Sequence, residues 1–490
     1  MKHSVGPRLP LLMVSMAACF STTSVVAGSQ ASINGANFKA VDSPITIIQD
    51  GFSNSVGIVD EGLVADSAVK QTGFYNRTAI LQFGNDKLAI LSQPGRFNRA
   101  MIVQVAASDQ DFQTVDSVQG ARTLASTNYL FSLQTVVNDA NPIAQQFSLL
   151  SFDQAKTVAT NFLFAPELSR VNTAMLEDIT RHFTSLLENR LAQGRVGSCA
   201  SDRDAGPSAK RDPACSSSPF FAALSYGNTE RDAALGVLGY EQEIRSATLG
   251  ADFQLNPVSR VGVAFNLEES DGDLQGLGDV TTTGYQIGGF GSFSHANYYL
   301  DLIATLGQVN FTSERFAGLT KVRSDVDGWS YAGRLQGGYF FGQDKFRFGP
   351  VLGAGYSKGT VDAYWEKGHV LLTQRIEEQE SERFVASVGA AFDRRDQIGG
   401  LPLHSYLKLE LERDFGIGRE ELVESRFAFS PDFVVFTPLD DVAEDTYGRI
   451  SGGLSLAINR QATVSLAGMT LLGADRLDTF DLYGELSVAF

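Results

Sequence analysis

Thr479-Phe480-Asp481-Leu482-Tyr483-Gly484-Glu485-Leu486-Ser487-Val488-Ala489-Phe490 alternates two kinds of side chain. Successive residues of a strand point to opposite sides, so Leu482, Gly484, Leu486, Val488 and Phe490 share one face while Glu485 and Ser487 share the other. A strand of this kind needs an apolar medium on one side and a polar one on the other. Working back along the chain, eleven more segments alternate in the same way, near 219–228, 243–255, 259–269, 281–294, 298–311, 327–341, 346–358, 381–394, 403–415, 446–459 and 462–472. Connections 256–258, 295–297, 342–345, 395–402 and 460–461 are short, and 270–280, 312–326, 359–380 and 416–445 are long. An even strand count, with short turns at one end and long loops at the other, predicts an antiparallel membrane β-barrel of twelve strands over 219–490.

In 403–415, Leu407, Leu409 and Leu411 oppose Lys408, Glu410 and Glu412. Three charges would face lipid unless that side looks into a polar lumen. Arg334 and Gln336 oppose Leu335 and Gly337 likewise, so Arg334, Lys408, Glu410, Glu412 and Glu485 are the expected lumen charges. Tyr298/Tyr299, Phe340/Phe341 and Phe346/Phe348 gather beside short turns, where an interfacial girdle belongs. A soluble β-sandwich also alternates but has no need of aromatics at strand ends.

Composition agrees with this reading. The chain has 490 residues, net charge -17, 48 Gly and 34 Phe, and past its first 30 positions no apolar run of bilayer length appears, which excludes a bundle of transmembrane helices. The acidic balance excludes a nucleic-acid binder. Lys2 and Arg8, the apolar stretch Leu9 to Phe20 and Val25-Val26-Ala27 predict an export signal over 1–27. Met16-Ala17-Ala18-Cys19 also resembles a lipoprotein cleavage box, which leaves lipidation at Cys19 as an alternative. Cleavage after Ala27 leaves Cys199 and Cys215, an even pair within a polar loop at 193–218 and the expected disulfide of an oxidising compartment.

Over 166–192, Leu168, Val171, Met175, Ile179, Phe183, Leu186, Leu187 and Leu191 recur at spacings of three and four, with Arg170, Glu177, Asp178, Arg181, Glu188 and Arg190 between them. Pro166 sits where a helix start tolerates it. Such a helix spans on the order of 40 Å, enough to cross a bilayer inside a pore; packing on the N-terminal segment is the alternative.

Leu482, Leu486, Val488 and terminal Phe490 resemble the signal by which outer-membrane barrels are recognised for assembly, with Val488 where an aromatic is frequent. Twelve strands, a preceding helix and an exported N-terminal segment together resemble the translocator domain of the autotransporters over 165–490. The resemblance implies the outer membrane of a Gram-negative bacterium, with the lipid bilayer and the barrel assembly machinery as partners and an extracellular passenger. It also implies a helix that plugs the barrel, its charges meeting the lumen groups. The Asn-Asn pair that passenger-releasing members often carry is absent; Asn172 and Asn189 stand singly.

The N-terminal segment repeats every eleven residues. One column reads Gln49, Asp60, Gln71, Gln82, Gln93 and Gln104, followed two residues later by Gly51, Gly62, Gly73, Gly84 and Gly95. Aliphatic residues fill the column Ile47, Ile58, Val69, Ile80, Leu91, Ile102, and a further column runs Asn54, Ala65, Asn76, Lys87, Asn98. Gln-x-Gly-x-x-Asn-x-Ala-x-x-x-Gln at 93–104 resembles the curlin repeat of bacterial amyloid adhesins, from which Asp60, Ala65 and Lys87 depart. The period predicts a β-solenoid over 28–109, two strands to a coil, with the pattern lost after Gln104 and a mainly helical neck or cap at 110–165. The resemblance implies adhesion, biofilm matrix attachment or fibre nucleation, with curlin-type subunits or host and matrix surfaces as partners.

No nucleophile-elbow, phosphate-loop or zinc-protease motif appears, and no metal-ligand spacing. His182, His295, His369 and His404 are scattered, and Glu410 and Glu412 fit as partners of lumen cations better than as a catalytic pair. The reading is therefore a display protein with no catalytic residue, enzyme activity or cofactor. The alternatives are an outer-membrane pore or transport barrel with a non-functional plug, and a hydrolase passenger without a recognisable motif.

Overall fold

The computed structural model describes residues 21–26, 31–33, 36–39, 44–50, 55–61, 65–74, 77–83, 87–96, 99–105, 111–116, 129–135, 152–194 and 219–489, the last without 233–238, 257, 275–277, 317–320, 343–344, 370–371, 416–421, 429, 439–444, 460 and 475. The chain divides into two compact units between Gln145 and Gln146.

The first unit is built of β1 (Ser21–Val26), β2 (Ala31–Ile33), β3 (Ala36–Lys39), β4 (Pro44–Asp50), β5 (Ser55–Glu61), β6 (Ala65–Phe74), β7 (Arg77–Phe83), β8 (Lys87–Arg96), β9 (Arg99–Val105), β10 (Asp111–Asp116) and β11 (Tyr129–Thr135). They form two sheets, ordered β1-β4-β6-β8-β10 and β11-β9-β7-β5-β3-β2. Within each sheet the repeat strands pair in parallel at a step of two repeats: Ile45 faces Ser67, and Gln49 faces Gln71, which faces Gln93. Gln82 faces Asp60 on one side and Gln104 on the other. Two departures from the repeat, Ala65 and Lys87, face each other. Val69 and Ile80, from the aliphatic column, are buried, as is Val56, two residues ahead of Ile58 in the same strand.

Pairing continues past Gln104, so strands extend beyond the 109 expected, and the described part of the 110–165 segment holds two strands as well as helix from Phe152 onward. β10 lies on β8 with Val115 facing Leu91, and β11 lies on β9 with Gln134 facing Gln104. The steps there are no longer 22 residues, so the period cannot reveal them. Ser21–Val26, inside the expected export signal, pairs antiparallel with β4. Residues 1–20, Gly51, Gly62, Gly84, Asn54, Asn76 and Asn98 lie outside the described residues.

The second unit begins with α1 (Phe152–Gly194), a helix of 43 residues or about 65 Å. It starts earlier than the 166 expected, and Pro166 lies inside it. A proline there forfeits one backbone bond and disfavours helical geometry at Ala165, yet strong helix formers upstream such as Ala155, Lys156, Ala159 and Leu163 continue the helix.

The strands that follow are β12 (Pro219–Arg231), β13 (Tyr240–Asn256), β14 (Ser259–Asp273), β15 (Gly278–His295), β16 (Tyr298–Phe316), β17 (Lys321–Tyr339), β18 (Phe346–Val361), β19 (Tyr364–Trp365), β20 (Gln374–Ile376), β21 (Gln379–Ile398), β22 (Leu401–Asp414), β23 (Leu422–Phe427), β24 (Ser430–Pro438), β25 (Asp445–Ala457), β26 (Ala462–Leu472) and β27 (Leu477–Ala489). Twelve of them close an antiparallel barrel in the order β12-β13-β14-β15-β16-β17-β18-β21-β22-β25-β26-β27. The remaining four, β19-β20-β23-β24, form a small sheet from the two longest loops. The expected loops 270–280 and 312–326 are mostly strand, because Ser270 to Asp273 and Thr312 to Arg315 continue the ladders beyond the apolar band. The turn between β21 and β22 is only Gly399-Gly400, both at positive φ, the geometry of a two-residue hairpin that glycine permits.

Leu407, Leu409 and Leu411 are 40% to 54% exposed while Lys408, Glu410 and Glu412 are buried, so the apolar face is the outer one. Beside the short turns, Tyr298, Tyr339, Phe341 and Phe348 make consecutive ring contacts at 4.6, 4.8 and 6.0 Å. Toward the loops, Trp329, Tyr331 and Tyr356 are exposed, the last two 6.1 Å apart. Tyr339 and Trp329 are ten residues apart on one strand, which at the usual tilt is about 25 Å of height, the thickness of the outer-membrane hydrocarbon layer. No helix among the described residues is long and apolar enough to cross a membrane; the crossing is made by strands.

Candidate functional site

The downstream half of α1 occupies the lumen. Near the loops, Met175 packs against Gly272 and Leu176 against Gly328 and Gly359, whereas Gly194 meets Arg260 at the short-turn end. The helix thus runs inward from the loop-bearing mouth. There Val171, Met175 and Ile179 join Tyr240, Phe311 and Tyr364 in one apolar cluster. Lower down, Phe183, Leu187 and Leu191 pack with Phe221, Phe290 and Ile303. Two apolar collars therefore grip a helix whose remaining sides are polar.

The polar sides carry complementary charge. Glu188 forms an ion pair with Arg334 at 2.7 Å and accepts hydrogen bonds from Lys408 at 2.9 Å and Arg449 at 3.1 Å. Glu412 binds Arg334 at 2.9 Å and Arg449 at 3.5 Å, and Glu410 binds Lys408 at 3.1 Å, Arg334 at 3.4 Å and the Gln336 amide at 2.8 Å. Among these groups the barrel supplies three cations and two carboxylates, and Glu188 supplies the third. Two residues on, Arg190 binds Asp252 at 2.8 Å and also Glu485, while Arg260 reaches Asp252 at 3.7 Å. Residues two apart on a helix are separated by about 200°, so the anion and the cation of α1 face opposite walls, one positive and one negative. Rotating α1 by half a turn would put like charges together on both walls.

Further polar contacts fix the level of the helix. Thr180 donates to Ser330 at 2.9 Å, Tyr240 to Asp178 at 2.7 Å and Tyr406 to Asn189 at 2.6 Å. His182 lies 2.8 Å from both Asp481 and Ser225. Over the mouth, Arg315 grips Glu366 through two bonds of 2.8 Å and the Leu372 carbonyl through a third, tying the loop sheet to β16. Burial, and then the Glu366 carboxylate, push the Tyr364 phenol in this lid well above its usual range, so it stays neutral.

Arg334, Lys408, Glu410 and Glu412 thus meet at Glu188, while Glu485 lies apart at Arg190. Leu482 and Leu486 are exposed on the outer face, Val488 is half-buried, and Phe490 lies outside the described residues. His295 and His369 are exposed, and His404 is buried 2.9 Å from Asp393. Cys199 and Cys215 lie outside the described residues, between a helix end and a strand start that are both at the short-turn end. Sequence reading missed Arg449, Asp252 and Asp481 as lumen groups. The signal for Arg449 and Asp481 is their phase, shared with Ser451 and with Glu485 respectively.

An outer-membrane β-barrel around an internal helix is the class that this architecture defines. The chain belongs to the autotransporter β-domain family, whose model matches residues 220–468, half of the chain. Outer membrane protein B of Rickettsia prowazekii (strain Madrid E) is 25% identical over 278 residues, which is 53% of this chain and only 17% of that protein. Similar solved structures are the translocator domain of autotransporter NalP from Neisseria meningitidis, at 12% identity over 64% of this chain and 98% of that one with TM-score 0.48, and the transport unit of autotransporter AIDA-I from Escherichia coli, at 11% over 64% and 99% with TM-score 0.39.

Glu188→Ala leaves three buried cations facing two carboxylates. Removing one partner of such a network costs about 3–5 kcal/mol, so thermal unfolding followed by the gel-mobility shift of the folded barrel is expected at clearly lower temperature. Glu188→Gln, which keeps the shape and part of the bonding, is expected to fall in between.

Proposed function

We propose that the chain is an autotransporter that carries its own N-terminal β-unit to the cell surface and displays it there, for adhesion or biofilm matrix attachment. The observation that supports this reading is the direction of α1, which enters the barrel at the loop-bearing mouth and ends at the short-turn end. Loops on outer-membrane barrels are extracellular and turns periplasmic, so the chain ahead of the helix emerges outside. The ladder of paired glutamines fits a curlin-like β-solenoid as the displayed element, and a sheet that ends on a terminal strand fits attachment to, or nucleation of, fibres of matching strands. The chain of this reading has no enzymatic step. Protease added to intact cells is expected to remove the segment ahead of α1 while sparing the barrel; a segment cut only after the outer membrane is broken contradicts display.

In the segment between α1 and β12, Cys199 and Cys215 form a structural disulfide in this reading. Closing a loop of about 15 residues contributes around 3 kcal/mol in the chain-entropy account. Protein isolated without reductant is expected to bind no thiol reagent at either position until reduced.

A further inference from the structure

The barrel closes where β12 pairs with β27, from Pro219 facing Ala489 to Arg231 facing Leu477. These are the first and last strands. Every other neighbouring pair in the barrel is also joined by the connecting chain, whereas this seam is held by noncovalent contacts alone.

Three residues of α1 each touch both seam strands. Arg181 donates to Thr229 on β12 at 3.5 Å and to Thr479 on β27 at 3.2 Å. His182 places Nε2 2.8 Å from Ser225 Oγ on β12 and Nδ1 2.8 Å from Asp481 Oδ1 on β27. Arg190 lies over the Phe221 ring of β12 at 4.6 Å and donates to Glu485 and Ser487 on β27. Thr229 and Phe221 are eight residues apart, roughly 27 Å along the strand, so the contacts bridge much of the seam. Gly227 leaves the room this needs, since a Cβ there would come within 2.6 Å of Asp481 Oδ1 and 2.9 Å of His182 Nδ1.

Ser225, His182 and Asp481 also have the bonding order of a nucleophile, base and orienting carboxylate. His182 is 1% exposed, however, and Ser225 Oγ is shared with Ser246 Oγ at 2.6 Å. The helix occupies the space a substrate would need. What the geometry does provide is a dry bond from one helix side chain to both ends of the barrel sheet, where hydrogen bonds to charged groups are strongest.

We propose that His182, flanked by Arg181 and Arg190, is a latch that bolts the first strand of the barrel to the last. The helix then closes the barrel as well as filling it, and closure of the seam is coupled to the presence of α1 in the lumen. This goes beyond the display reading and does not depend on what the N-terminal unit binds.

Hydrogen exchange of the full chain, resolved by strand, tests the latch in the wild type and in His182→Ala, His182→Gln and Thr180→Ala. In His182→Ala the amides of β12 and β27 around Leu224 and Gly484 are expected to exchange about tenfold faster, with β16 and β17 unchanged. Thr180→Ala, which removes a helix contact to β17 away from the seam, should leave the seam as it was, and His182→Gln should recover part of the protection. Should His182→Ala not fold, Ser225→Ala removes only the β12 arm and is read in the same way. Equal acceleration in all strands, or an unchanged seam, overturns the latch. So does labelling of Ser225 by a fluorophosphonate, which would make the cluster a nucleophile instead.

Discussion

Charges inside a barrel sit between lipid-backed walls, and each must find a partner or remain hydrated. Around Glu188, among the described residues, the barrel itself is one carboxylate short: Arg334, Lys408 and Arg449 face Glu410 and Glu412. At the opposite wall the barrel has Asp252 and Glu485, and the helix brings Arg190. The lumen is therefore built for one helix in one rotation. This pairing sets the vertical level and the angle of α1, and with them the position of both apolar collars. Its energetic role is specificity more than net stability, because desolvating six ionic groups offsets much of their mutual attraction.

The direction of α1 follows from the same match. Glu188 and Arg190 lie near the end of the helix, so the part that enters by the loop mouth is held by apolar contacts with Tyr240, Phe311 and Tyr364, and by the loop sheet that Arg315 and Glu366 tie down. A polar lock low in the barrel and an apolar seal at its mouth leave the helix little freedom to slide. The autotransporter β-domain here is thus a closed assembly in which plug and wall complete each other.

The barrel was legible because lipid and lumen impose a period of two on every crossing strand, and because charges such as Lys408 and Glu410 are too costly to face lipid. Where strands rise above the membrane that contrast disappears: Ser270 to Asp273 and Thr312 to Arg315 are polar on both faces, and read as loops although they are paired. The start of α1 was hidden by Pro166, which resembles a first-turn residue. β10 and β11 were hidden because the step of 22 residues breaks after Gln104. Arg334, Lys408, Glu410 and Glu412 could be assigned to the lumen from phase alone, but that they converge on Glu188 depends on how β17, β22 and β25 are placed around the barrel, and no single strand carries that information.

The central claim is that α1 completes and fills the lumen, and ion conductance of the purified protein in planar bilayers tests it most directly. The intact chain is expected to give little steady current, and a chain lacking 152–194 a large and stable one. A large, steady conductance from the intact protein, equal to that of the helix-deleted form, would contradict the account.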